Sequence, residues 1–145
     1  MQRIARFVLG LTLALLVSQP ALAERFQSFA GGYQVHYNAV PTGMLDPAVA
    51  RAYNIPRSRG TGLLTVSLLN EGKPVRARIS ALAANMNEQM RVIDMREVRE
   101  ADAVYYIGTF RASQRERLRF QLQVSPAAAS VGPFNVEFAQ DFFAD

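Results

Sequence analysis

The stretch Arg117-Leu118-Arg119-Phe120-Gln121-Leu122-Gln123-Val124 decides the fold. Its apolar residues alternate with Arg and Gln without a break, so an extended chain there has one apolar face and one polar face. That is a strand with one side buried. Outward from it the same period recurs. Tyr33, Val35, Tyr37 and Ala39 alternate with Gln34, His36 and Asn38, and Val75, Ala77, Ile79 and Ala81 alternate with Arg76, Arg78 and Ser80. Phe134, Val136, Phe138 and Phe142 oppose Asn135, Glu137 and Asp141, with Gln140 interrupting the apolar face. Val104, Tyr106, Gly108 and Phe110 follow a turn at Glu100-Ala101-Asp102. Gly62 to Leu69 is nearly continuous Leu, Val and Thr, as expected of a strand covered on both sides. Asn70-Glu71-Gly72-Lys73 reads as a tight turn with Gly72 available for positive φ. Met90 to Val98 is a further strand whose apolar parity changes near Ile93, predicting a bulge. About seven short strands joined by turns predict an all-β, antiparallel, immunoglobulin-like sandwich, with a small closed barrel as the alternative.

One segment breaks the period. Asp46-Pro47 opens a helix, with Asp as N-cap and Pro at the first helical position. Ala48 to Tyr53 supplies about two turns before Asn54 and Pro56 stop it. Val49 and Tyr53 are four residues apart and share a face that would dock on the sandwich. The helix lies in the long connection after the first of these strands, and long ordered connections are often functional.

The N-terminus reads as a cleavable export signal. Arg3 and Arg6 precede an apolar run from Phe7 to Val17, then Ser18-Gln19-Pro20 and the small-residue triplet Ala21-Leu22-Ala23. The run is about half of the roughly twenty residues a membrane span needs, and the order of zones is that of a secretory signal. Cleavage is expected between Ala23 and Glu24, leaving residues 24–145 as a single sandwich domain in the periplasm. Loss of Arg3 and Arg6 takes the sixteen bases to fourteen against twelve acids, and the net charge from +4 to +2. That balance argues against nucleic acid as a partner. No stable membrane insertion is expected after cleavage. The chain has no cysteine, so disulfides, thiol chemistry and Cys-based metal sites are excluded and the domain must hold together by apolar packing.

Three stretches together carry a resemblance. They are Val35-His36-Tyr37-Asn38-Ala39, then Asp46-Pro47-Ala48-Val49-Ala50-Arg51-Ala52-Tyr53 continuing to Arg57-Ser58, and Val136-Glu137-Phe138-Ala139-Gln140-Asp141-Phe142. In order and spacing the chain resembles the small exported proteins of Gram-negative bacteria grouped as domain of unknown function 4426 (DUF4426). The resemblance implies a periplasmic β-rich domain and supplies no activity, cofactor or catalytic residue. Ala103-Val104-Tyr105-Tyr106 also echoes antibody variable domains, but Ile107 stands where their cysteine would follow. What the echo does suggest is a tyrosine fastening the corner of a sandwich.

Candidate chemistry is sparse. His36 is the only histidine, which excludes a multi-histidine metal site, and alternation places it on a polar face beside Gln34 and Asn38. None of Ser58, Ser67, Ser80 and Ser113 lies in a Gly-x-Ser-x-Gly elbow. Arg57-Ser58-Arg59-Gly60-Thr61-Gly62 lacks phosphate-loop spacing and precedes a strand, not a helix. Basic stripes at Arg76 and Arg78, and at Arg115, Arg117 and Arg119, belong to solvated sheet faces. No catalytic, cofactor or metal residue is assigned and no enzyme activity is expected. The expectation is a non-enzymatic interaction module of the envelope, with an envelope protein as partner. The alternative is a binder of a small molecule, anionic glycan or lipid headgroup, and the candidate interaction surface is His36, Asn38, Arg57 and Ser58.

Overall fold

The computed structural model describes residues 25–113, 115–128 and 130–142; the expected export segment and its expected cleavage site lie outside them. The described chain forms two antiparallel sheets packed face to face. Sheet A contains β1 (Arg25–Phe29), β2 (Tyr33–Pro41), β3 (Thr61–Asn70), β4 (Lys73–Val75), β7 (Arg96–Glu100) and β8 (Ala103–Arg111). Its order is β1-β2-β3-β8-β7, with β4 paired to the far end of β3. Sheet B contains β5 (Ala77–Ala84), β6 (Met90–Ile93), β9 (Glu116–Pro126) and β10 (Phe134–Phe142), ordered β10-β9-β5-β6. The sheets are open, so the fold is the expected sandwich and not the barrel.

The structure has ten described strands where about seven were expected, and each difference has a cause. The parity change near Ile93 is a change of sheet and not a bulge: Ile93 pairs with Ala81 in sheet B, and Arg96 already pairs with Ile107 in sheet A. The stretch read as one strand from Val75 to Ala81 likewise breaks at Arg76, because Val75 pairs with Leu68 and Ala77 with Pro126. Strand β1 was not legible. Its residues are mostly exposed, and what it turns toward the core is Phe29, stacked on Phe134 at 4.7 Å, and at the edge Arg25, over the rings of Tyr37 and Phe138 at 5.4 and 4.7 Å.

Between the sheets, Val35, Leu64, Val66 and Leu68 from sheet A meet Leu118, Phe120, Leu122, Val124 and Val136 from sheet B. All are essentially inaccessible to solvent. Val35, Val136 and the four residues of β9 are positions the alternation marked; Leu64, Val66 and Leu68 come from the continuous apolar run. The two-residue turn at Glu71 and Gly72 has φ of 49° and 80°, the left-handed pair that a tight hairpin requires.

The chain passes between sheets at β4–β5, β6–β7 and β8–β9, and side-chain bonds fasten the first and the third. At the first, the Ala77 N–H donates to the Tyr106 hydroxyl at 2.7 Å, and that hydroxyl donates to Glu97 Oε1 at 3.1 Å. Tyr106 thus ties one sheet to the other as a corner tyrosine. Tyr106→Phe strands the Ala77 N–H, and a loss of about 1–3 kcal/mol is expected, read from urea unfolding with unchanged slope. A loss within experimental error would show that the corner bond does not matter.

At the third passage, Glu116 accepts from the Ser113 N–H at 2.7 Å and pairs with Arg91 at 3.2 Å. Burial opposes ionisation of Glu116, but the Ser113 N–H, Arg91 and Asn85 outweigh it and hold its carboxyl below the ordinary glutamate value. The unfolded chain therefore takes up a proton at Glu116 at higher pH than the folded chain does. The associated stability is complete above the ordinary glutamate range and is lost as pH falls through the depressed folded value. Glu116→Gln is expected to flatten this acid limb of the stability curve, checked by urea unfolding from neutral pH downward. An unchanged limb would place the acid sensitivity elsewhere.

Candidate functional site

The helix reaches across the outer face of sheet A. Asp46 caps it, its Oδ1 accepting from the Ala48 N–H at 2.8 Å, and α1 runs Pro47–Ala52. Asn54, at φ 54°, ends it in the left-handed conformation, and the Ile55 N–H donates back to Ala50 O at 2.8 Å. Ala50 and Ile55 are buried against Leu63 of β3 and Ile107 of β8, with Val40, Leu45, Tyr53 and Val98 around them. Strand β3 is therefore covered on both sides, as its continuous apolar run implied. The docked face differs by one residue from expectation. Ala50 is the residue fully covered, while Val49 stays 45% exposed and forms a rim.

That rim borders an apolar groove of about 200 Å³. Its floor comes from Leu63 and Thr65 of β3, Tyr105 and Ile107 of β8, and Val98 and Glu100 of β7; Val49, Tyr53 and Ile55 form the wall. The floor is flat because these strands are adjacent and in register, Thr65 opposite Ile107 and Val98 opposite Tyr105. Tyr105 also borders a smaller cleft of about 130 Å³, shared with His36, Ser67, Leu69, Pro74, Ala103 and Val104. The wall is braced by two bonds. The Tyr53 hydroxyl donates to Glu100 Oε2 at 2.6 Å, and Arg96 donates to the Tyr53 carbonyl. The Glu100 bond, partial burial and the Glu100 charge together push the Tyr53 phenol above its ordinary value.

The structure divides the candidate surface of His36, Asn38, Arg57 and Ser58. His36 and Asn38 share the outer face of sheet A, opposite Ser67 and Thr65. Phe26 stacks on the His36 ring at 5.2 Å, and His36 Nε2 lies 3.2 Å from Gln34 Oε1. Arg57 and Ser58 sit at the other end of the long connection. Arg57 donates to Gly43 O at 2.9 Å, the Ser58 N–H donates to Thr42 Oγ1 at 2.9 Å, and that hydroxyl donates to Ser58 O at 3.1 Å. Arg57 and Ser58 therefore hold the loop around the 3₁₀ turn Thr42–Met44. The basic stripes are partly answered by acids, Arg76 by Glu97 at 3.0 Å and Arg117 by Asp141 at 2.9 Å.

The groove was missed at the sequence level although two signals pointed to it. One was the two-sided hydrophobicity of β3. The other was the amphipathic helix in the connection that leads into it. What neither revealed is that β7 and β8 bring Val98, Glu100 and Tyr105 to the same face. Among the described residues, no three His, Cys, Asp or Glu side chains form a metal-ligand set, and no helix is long and apolar enough to cross a membrane.

Residues 27–145 match the family model described as Domain of unknown function (DUF4426). The fold is similar to the crystal structure of a DUF4426 family protein from Pseudomonas aeruginosa PAO1, at 32% identity and TM-score 0.74, covering 84% of this chain and 96% of that one. It is also similar to two structures of FetP from uropathogenic Escherichia coli strain F11. A copper-bound variant gives 11% identity and TM-score 0.58, covering 83% of this chain and 98% of that one. The as-isolated protein, expressed in the periplasm, gives 10% identity and TM-score 0.57, covering 85% and 98%. At such identity the likeness to FetP is one of fold alone. No curated protein matched the sequence.

Proposed function

The chain belongs to the DUF4426 family, and from that footing we propose that it is an exported, non-enzymatic interaction module of the cell envelope. Its binding surface is the groove between α1 and sheet A, and the occupant is a segment of a partner protein that inserts an apolar side chain. The observation that carries this reading is the groove itself. A six-residue helix is held across an already complete sheet by its cap, two braces and a buried face, yet it leaves Val49, Tyr53 and Tyr105 lining open apolar space. A helix serving only to seal β3 would close that space, whereas one serving a partner leaves it open. The basic, apolar and small-residue zones of residues 1–23 support export.

The test is cross-linking of the exported protein in the periplasm, followed by pull-down with wild type and Val49→Asp. Val49 is half-exposed, so the change spoils the groove and not the core. A reproducible partner recovered with wild type and lost with Val49→Asp is the expected result. No reproducible partner, or one indifferent to the substitution, would overturn the reading. The same preparation tests export, since mass analysis should find a periplasmic chain that begins at Glu24. A chain retained in the cytoplasm with its first residues intact would refute that half of the proposal.

A further inference from the structure

We propose that the Glu100 end of the groove is a cation subsite, taking the ammonium or guanidinium of a Lys or Arg that flanks the partner's inserted apolar side chain. This rests on the reading of the groove as a partner surface and adds the chemistry of what it selects. Glu100 is the one charged side chain among the residues lining the groove. The basic residues that its own strand carries are committed elsewhere. Arg96 is turned to the Tyr53 carbonyl, and Arg99 pairs with Glu97 at 3.3 Å. Among the described residues no cation lies within ion-pair distance of Glu100. What holds it is a neutral group, the Tyr53 hydroxyl, which fixes the carboxylate in place without cancelling its charge.

The surroundings suit a cation. Tyr53 and Tyr105 both line the groove beside Glu100, and aromatic faces next to a carboxylate attract an ammonium group. The rest of the lining, from Val49 through Ile55, Leu63, Val98 and Ile107, is apolar. An occupant with an apolar body and a positive end satisfies both parts at once. A neutral apolar group leaves the carboxylate unanswered, and an anion is repelled by it.

Three probes of similar size and different charge separate these cases: hexylammonium, 1-hexanol and hexanoate, titrated into isotope-labelled mature protein and followed by backbone amide shifts. Hexylammonium is expected to move the amides of Val98, Tyr105 and Ile107 and to bind about tenfold more tightly than hexanol, with hexanoate weakest. Glu100→Gln keeps an acceptor for Tyr53 while removing the charge. It is expected to abolish the advantage of the ammonium and leave hexanol unaffected. Equal binding of hexylammonium and hexanol to wild type would overturn the cation subsite and leave the apolar groove standing. An advantage that survives in Glu100→Gln would overturn it too. If none of the probes moves the groove amides, the subsite and the groove reading fall together.

Discussion

Phe120→Ala is expected to lower the unfolding free energy by about 3–5 kcal/mol, as truncation of a buried aromatic does when the site cannot collapse. Phe120 is fully buried at the centre of β9. Its ring stacks on Phe138 at 4.7 Å and meets Phe110 and Phe142 at 5.1 and 6.1 Å. The stack continues from Phe138 to Tyr37 at 4.6 Å, and Arg25 closes its outer end. Alanine would therefore remove the ring of sheet B that links Phe110 of sheet A to the stack of Phe138 on Tyr37, which itself joins the two sheets. Domains of this size have stabilities of about 5–15 kcal/mol, so the variant would lose a large share of the total. Urea unfolding with an unchanged slope is the measurement. A loss below about 1.5 kcal/mol would mean that the surrounding rings close the gap, contrary to their fixed positions.

Gly108→Val is expected to cost about 3 kcal/mol, the upper part of the range for overpacking a filled site. The reason is space and not backbone conformation. A Cβ at Gly108 would lie 2.6 Å from Met95 Sδ, 2.7 Å from Ile93 Cγ2 and 2.7 Å from the Asp94 carbonyl oxygen. The sulfur can swing away, but the carbonyl belongs to the chain crossing from β6 to β7 and cannot move without breaking the pairing of Ile93 or Arg96. Thermal unfolding with circular dichroism should show a markedly lower midpoint. A midpoint equal to wild type would show that the crossing tolerates displacement.

The alternation from Arg117 to Val124 revealed much of the core, because a period of two fixes which side chains face inward. It also made the helix legible, since Asp46 and Pro47 act locally. Strand ends and sheet membership were less visible. From Met90 to Val98 the sequence holds β-forming residues throughout, and nothing local says that Asp94 and Met95 span the gap between two sheets. Strand β1 escaped because an edge strand capped by Arg25 has no apolar alternation to read. The site suffered most. His36 and Asn38 were placed on the correct polar face, yet Arg57 and Ser58, near each other in the motif, bond to Thr42 and Gly43 instead. The groove depends on contacts between residues more than forty positions apart, as with Tyr53 and Glu100, which no local pattern encodes.

The three passages of chain between the sheets bear on how the molecule breathes. Neither sheet is a contiguous piece of sequence, so sheet B cannot detach while sheet A stays formed without drawing β4, β7 and β8 with it. Amides deep in opposite sheets, such as Val66 and Leu122, should then exchange with deuterium through one shared opening, with one free energy equal to that of global unfolding. Strand β1 is different. It is sequence-terminal among the described residues and pairs with β2 alone, so its amides should exchange through a smaller, separate opening. The molecule would thus behave as one cooperative block with a single loose margin.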